Sequence, residues 1–226
     1  MIRSPLRFLA LGVAALPFAA PASAQDEPAR GIYVVARGGA SINPDQKLDV
    51  SNLPASSTFA EKTKYKTGVT GQIGGGYDFG MFRVEQTVGY TSSDLKLDDA
   101  QTGGFAASGK TKSLSMSVAG YVDIPVSTMF VPYVGGGIGG ARVEADLARV
   151  TASGVGSSYS GKDWGMMWHA DAGIGINIRP KTTLEIGGRY TQTSSLKFDG
   201  QNAVIATVYE PKLRNLSGTV GIRHIF

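Results

Sequence analysis

Polar and apolar residues alternate with a period of two along most of the chain. Between residues 111 and 124, Leu114 and Met116 alternate with Ser113 and Ser115. Because successive side chains of a strand point to opposite faces, this pattern predicts a half-buried strand and not a helix. The same reasoning predicts eight strands, at about 31–42, 67–79, 82–91, 111–124, 130–144, 164–178, 183–191 and 212–226.

The connections between the predicted strands are alternately long and short. Those after the second, fourth and sixth strands are tight turns, whereas the other four are rich in turn-forming residues such as Asn43-Pro44-Asp45 and Asp199-Gly200. Such regular alternation is typical of an up-and-down antiparallel barrel with one end in the periplasm and the other outside the cell. The strands are also long enough to cross a bilayer, which takes about 9–11 tilted residues. The predicted long connections are 43–66, 92–110, 145–163 and 192–211.

The polar face of the strands distinguishes a membrane barrel from a soluble one. A soluble barrel would carry charges along its whole exterior, but here the polar face is mostly Gly, Ser, Thr and Ala, with one or two charges per strand. We therefore predict an all-β fold, an eight-stranded antiparallel up-and-down transmembrane β-barrel, with the apolar face toward lipid. Aromatic residues near the strand ends are expected to form interfacial girdles: Tyr77, Phe79, Phe82, Tyr90, Phe130, Tyr133, Trp164 and Tyr190.

The N-terminus has the features of a secretory signal peptide. Arg3 and Arg7 precede an apolar run, and Ala22-Ser23-Ala24 supplies the small residues of a cleavage site after Ala24. The apolar run is shorter than the roughly 20 residues of a spanning helix. The expected division of the chain is a signal peptide at 1–24, a polar leader at 25–30 and the barrel at 31–226.

Composition removes several classes of function. The signal peptide holds two of the 22 basic residues and none of the 18 acidic ones, so the mature chain has a formal charge of +2, too balanced to favour nucleic acid. The absence of cysteine excludes a disulfide scaffold, and two distant histidines do not suggest a metal site. Residues 135–140 match G-x-G-x-x-G, but no predicted helix follows them, so we expect no dinucleotide or other cofactor.

Charged residues on the polar faces of the strands predict a network inside the barrel. Four arginines and four acids are balanced, and because unpaired charges are costly in a low-dielectric interior, we expect them to pair across strands. An eight-stranded interior is just wide enough for its own side chains, which favours a plug over a narrow, gated ion path. The predicted network comprises Arg37, Arg83, Glu85, Asp123, Asp171, Glu185, Arg189 and Arg223.

Several short motifs, in order along the chain, carry a family resemblance. They are Phe82-Arg-Val-Glu85 with Gly89-Tyr90, Pro132-Tyr-Val-Gly135, Trp168-His-Ala-Asp-Ala-Gly173, Leu184-Glu-Ile-Gly187 with Arg189-Tyr190, and Gly221-Ile-Arg-His-Ile-Phe226. With them the chain resembles small outer-membrane β-barrel proteins of the OmpA, OmpX and opacity type, including porin-family surface proteins of alphaproteobacteria. His224 departs from the resemblance, since the family usually has an aromatic residue at that place.

The resemblance implies a location in the Gram-negative outer membrane, in contact with lipid and lipopolysaccharide. It also implies a non-enzymatic role in envelope integrity, and surface interaction or adhesion to a host or surface ligand through the long connections. The C-terminal residues Val220, Ile222 and Phe226 would be recognised by the barrel assembly machinery. Charge in the connections has no single sign, so it identifies no ligand.

Two other functions remain open at this point. One is a small porin-like diffusion channel. The other is a lipid A-modifying enzyme, because His169 near Asp171 and Glu185 is similar to the site of outer-membrane lipid A deacylases. Asp171 stands where that site has its serine, and acyl transfer needs a hydroxyl beside the base. We therefore expect no catalytic residues.

Overall fold

Antiparallel strands make up all the regular structure in the described part of the chain. The computed structural model describes residues 30–42, 66–94, 106–150, 156–194, 196–202, 205–210 and 212–226. Within those ranges no helix is long and apolar enough to cross a membrane. The strands are β1 (Gly31–Ile42), β2 (Gly68–Asp78), β3 (Phe82–Asp94), β4 (Ala106–Asp123), β5 (Phe130–Val150), β6 (Gly156–Arg179), β7 (Thr182–Ser194), β8 (Phe198–Asn202), β9 (Ile205–Tyr209) and β10 (Leu213–Ile225).

Eight of these strands close a barrel. From β1 to β7 each strand pairs with its neighbour in sequence, and β10 pairs with both β7 and β1. The closing seam runs from the Tyr33–Ile225 pair to the Ile42–Leu216 pair. Each of these eight strands therefore has a partner on both sides, which is what a membrane-spanning sheet requires. The predicted eight-stranded up-and-down barrel is confirmed.

Three of the predicted long connections contain more strand than expected. In the predicted connection 92–110, β3 continues to Asp94 and β4 begins at Ala106. β5 and β6 continue their pairing as far as Val150 and Gly156, well into the predicted connection 145–163. The predicted connection 192–211 contains the β8–β9 hairpin, and β8 pairs with β6 at Ser157–Tyr159. Polar, serine-rich sequence does not stop a strand pair outside lipid, because the paired backbone satisfies its own hydrogen bonds. Residues 43–65, 95–105 and 151–155, the predicted signal peptide 1–24 and residues 25–29 of the predicted leader lie outside the described ranges.

Exposure alternates along the strands as the sequence pattern predicts. In β1, Ile32 and Val34 are about half exposed at 54% and 47%, whereas Tyr33 and Val35 are buried. The outer wall is therefore apolar, and the interior receives the other face of every barrel strand. Val220, Ile222 and Phe226 lie on the outer wall. Their recognition by the assembly machinery stays a prediction.

The predicted aromatic girdle is wrong at Tyr133. This side chain is 5% exposed and lies inside the barrel, edge-on to Tyr121 at a ring-centroid distance of 6.0 Å. Nearness to a strand end suggested an interfacial position, but alternation along β5 directs position 133 inward. The glycines of two neighbouring strands make room for the ring, since a Cβ atom added at Gly173 or Gly187 would lie 2.5 or 2.3 Å from the Tyr133 hydroxyl oxygen.

Candidate functional site: the charged interior

The structure brings all eight residues of the predicted network into the barrel interior. Seven of them are at most 8% exposed, and the side chain of Asp171 is 7% exposed. A fifth acid, Asp78, joins them at 4%. Within the described ranges the interior network thus has four arginines and five carboxylates.

Glu185 is the centre of this network. Its carboxylate accepts hydrogen bonds from Arg37 Nε at 2.8 Å, Arg83 Nη1 at 3.0 Å and Arg223 Nε at 3.1 Å. The three arginines come from β1, β3 and β10, while Glu185 comes from β7. One carboxylate therefore joins strands on different sides of the lumen, with Glu185 itself 1% exposed.

Glu85 makes the second strong contact of the network. It binds Arg37 through two parallel hydrogen bonds, Nη1 to Oε1 at 2.6 Å and Nη2 to Oε2 at 2.9 Å. The Tyr33 hydroxyl donates to the same carboxylate at 3.1 Å. Bidentate pairing matches the planar guanidinium and fixes its orientation as well as its charge. Arg37 is thus held between Glu85 and Glu185.

Arg83 is enclosed by aromatic rings as well as by acids. Its guanidinium carbon lies 4.3 Å from the ring centroid of Tyr121 and 4.9 Å from that of Tyr133, within cation–π range. Its Nε atom donates to Asp123 at 3.0 Å. The side chain is 1% exposed, so the centre of the lumen is filled at this level.

The network ends near the short turns at Asp78, which sequence reasoning missed. Asp78 pairs with Arg223 Nη1, and its other oxygen accepts from the backbone N–H of Gly80 at 2.8 Å in the following turn. It lies within the second predicted strand, but the predicted network did not include it. Alternation along β2 was the signal that could have identified it, because residue 78 falls on the polar face.

Toward the long connections the network ends in a chain of four residues. Arg189 Nε pairs with Asp171, and Asp171 Oδ2 lies 2.6 Å from His169 Nδ1. His169 Nε2 lies 3.2 Å from the hydroxyl oxygen of Ser117 on β4. The expectation that no hydroxyl stands beside His169 is therefore wrong. His169 reaches across β5 because Gly137 has no side chain there, and a Cβ atom at Gly137 would lie 2.6 Å from Nε2.

The order Ser117, His169, Asp171 is that of an acyl-transfer triad, but the surroundings differ from those of an active site. Ser117 is 4% exposed and His169 is 2% exposed. The Ser117 hydroxyl also shares a hydrogen bond with Thr87 at 3.0 Å. Nucleophilic attack requires a substrate carbon beside this oxygen, together with donors for the oxyanion. The arrangement described here links β3, β4 and β6 through polar side chains.

A hydroxyl-lined cavity occupies the interior between this chain of residues and the long connections. Its volume is about 70 Å³, and its lining includes Thr91, Ser115 and Thr193. Arg189 also lines it, and the Arg189 guanidinium is tied to Asp171 and to the Tyr121 hydroxyl. The interior therefore has a hydroxyl-lined outer half and a charge-filled inner half. In the described ranges no cluster of acids and histidines is arranged to hold a metal ion.

Comparisons with known proteins agree with this architecture. Neisserial surface protein A is 18% identical over 87% of this chain and 97% of its own, with a TM-score of 0.54. The outer-membrane protein AlkL is 13% identical over 93% and 97%, with a TM-score of 0.51. The outer-membrane protease OmpT of Escherichia coli is 8% identical over 88% and 97%, also with a TM-score of 0.51. At these identities the likeness shows the fold alone.

Sequence comparison identifies the family. No curated protein matches the chain. The family model described as the outer membrane protein beta-barrel domain matches residues 8–223, nearly the whole chain. The chain therefore belongs to the outer-membrane β-barrel domain family, and it is a protein of the Gram-negative outer membrane.

Proposed function

We propose that this protein is a plugged, non-enzymatic barrel that strengthens the outer membrane and interacts with a host or surface ligand through its long connections. The observation that carries the proposal is the filled inner half of the lumen. There, Arg37, Arg83 and Arg223 converge on Glu185, and all four side chains are at most 6% exposed. A barrel filled in this way has no path for solutes through its lumen. Its interactions then take place at its outer end.

The energetics of the network support a closed state. A path through the inner half would have to separate the arginines from Glu185. Breaking one buried ion pair costs about 3–5 kcal/mol, since it leaves an uncompensated charge. At 1.4 kcal/mol per tenfold, an open state is then disfavoured by roughly a hundredfold to several thousandfold. The closed barrel is the state that acts in the membrane.

Conductance measurements test the proposal. The purified, refolded protein should give no discrete current steps in planar lipid bilayers. The double variant Arg83→Ala, Glu185→Ala removes a charge pair from the middle of the plug. It is the positive control: current through this variant would show that the assay detects a pathway through this barrel.

In cells, loss of the protein should raise sensitivity to detergent, and a copy of the gene should restore resistance. Uniform steps from the unmodified protein would establish the channel instead.

A second candidate function, hydrolysis by Ser117, has one specific observation in its favour. This is the contact of Ser117 with His169 and, through it, with Asp171. We rank this function second because the Ser117 hydroxyl is buried away from any substrate and already shares a hydrogen bond with Thr87.

The second candidate is tested with a small serine-directed reagent. Because Ser117 is buried, we expect no adduct in the intact mass of the folded protein after treatment with phenylmethylsulfonyl fluoride. The variant Ser117→Ala is the matched control for labelling elsewhere. An adduct that forms on the unmodified barrel and disappears in Ser117→Ala would make the serine a reactive nucleophile, and the non-enzymatic proposal would then be wrong.

A further inference from the structure

One polar side chain lies in the middle of the apolar outer wall. Gln86 on β3 is exposed on the outside of the barrel, halfway between the outward rings of Phe82 and Tyr90. The outward neighbours of Gln86 on its own strand are Val84 and Val88, both apolar and exposed. Among the described residues at mid-height of the outer wall, Gln86 is the one with a polar side chain.

Its depth puts the Gln86 amide within the hydrocarbon of the membrane. The residue lies four positions above Phe82, which is about 13 Å along the strand. With a strand tilt of 35–45° this corresponds to roughly 10 Å along the barrel axis. The hydrocarbon layer is about 30 Å thick, so the amide is well inside it.

At this depth the amide lacks a strong partner. Among the described residues, its one hydrogen bond runs from Nε2 to the thioether sulfur of Met116 at 3.9 Å. A thioether is a weak acceptor. Transfer of an amide from water into an alkane without a hydrogen bond costs about 4–8 kcal/mol. Lipid tails have no polar group to offer, so a partner must come from another molecule.

The surface around Gln86 is shaped for close approach. Gly75 stands directly opposite Gln86 on β2, and Ala36 lies on the adjoining strand β1. These small residues line a shallow, largely apolar depression together with Gln86 and, nearer the C-terminus, His224. In membranes, small residues at an interface let two backbones approach closely, and amide side chains then form hydrogen bonds across it.

We propose that this surface, the outward face of β1–β3 around Gln86, binds the same surface of a second copy of the chain about a two-fold axis. A two-fold contact needs a self-complementary surface. An amide meets that condition because it carries both a donor and an acceptor, so each Nε2 can donate to the Oε1 of the partner's Gln86. A phospholipid could provide acceptors only at its headgroup and ester groups, away from this depth. The proposal does not depend on whether the lumen is plugged.

Cysteine cross-linking tests this contact directly, because the chain has no native cysteine. The variant Val84→Cys, which keeps Gln86 and places the thiol beside it on the outer wall, should form a reducible species of twice the barrel mass when oxidised in intact outer membranes. The matched control is Ile138→Cys, which introduces the thiol two strands away at a position that is 70% exposed on the same wall. We expect at least a fivefold higher dimer yield for Val84→Cys. Equal yields from the two variants, or a product of another mass, would overturn the proposal.

A measurement without cysteine separates dimerisation from folding. Gln86→Leu should weaken dimerisation of the refolded protein several-fold, and up to about tenfold, in line with hydrogen bonds measured between membrane segments. Its barrel should stay folded, as shown by unchanged heat-modifiable migration on gels. Gln86→Asn, which keeps an amide, should restore part of the affinity. Sedimentation in detergent would contradict the proposal if the unmodified protein were a monomer, or if Gln86→Leu dimerised equally well.

Discussion

Replacing Glu185 with glutamine should lower the free energy of unfolding by about 3–5 kcal/mol. The substitution keeps the shape of the side chain but removes the charge that Arg37, Arg83 and Arg223 share. Three buried guanidinium groups then lose the negative charge that they share, and no water is present to solvate them instead. Urea unfolding of the barrel in lipid vesicles measures the loss, and the lipid-facing Trp164 and Trp168 report it by fluorescence.

Glu144→Gln is the matched control for this prediction. Glu144 lies 3.3 Å from Lys162, but the two side chains are 45% and 53% exposed. Water screens such a pair, so its loss should cost less than about 1 kcal/mol. If Glu185→Gln were no more damaging than Glu144→Gln, the interior charges would not be coupled in the way the geometry indicates.

Adding a methyl group at Gly187 should cost about 1–3 kcal/mol of stability. The new Cβ atom would lie 2.3 Å from the Tyr133 hydroxyl oxygen and 3.0 Å from the carbonyl oxygen of Ala172, inside a packed lumen. The same change at Gly218 meets no atom within 4 Å, because that position faces outward, so Gly218→Ala should be nearly neutral. Unfolding of both variants in the same lipid gives the comparison.

A double-mutant cycle identifies the cause of the Gly187 effect. Tyr133→Phe removes the hydroxyl oxygen that the new methyl group would strike. In that background Gly187→Ala should therefore lose most of its penalty, which gives a coupling energy of about 1–2 kcal/mol between the two sites. A penalty that stays the same in both backgrounds would place the strain in the backbone instead.

Alternation was enough to predict which face of each strand turns inward. The inward positions of Arg37, Glu85 and Glu185 follow from period two alone, since a strand has only two faces. Alternation did not predict which charged residues pair with each other. Arg37 on β1 meets Glu185 on β7 across the lumen, and that meeting depends on the stagger between strands, which no single strand encodes.

The Ser117–His169 contact was missed for a related reason. The two residues lie on β4 and β6, and the glycines of β5 leave the space between them open. From sequence, a run of glycines in a strand indicates a bend or the close approach of neighbouring groups, but not which side chains approach. In the folded barrel their missing side chains decide which residues of other strands can touch. Such an effect becomes visible only when three strands are in register.

The closing seam has a consequence for how the chain folds. Tyr33 pairs with Ile225, so the first strand, already paired with β2, gains its second partner only when the last strand is in place. Arg223 reaches Glu185 from that same last strand, which means that neither the sheet nor the charge cluster can be completed by a shorter chain. Contacts between residues so far apart in sequence make folding slow. Until the barrel closes, the edges of the first and last strands are unpaired, and the charges that will be buried are exposed. The cell must therefore protect this chain from other unfolded chains until its final residues have folded.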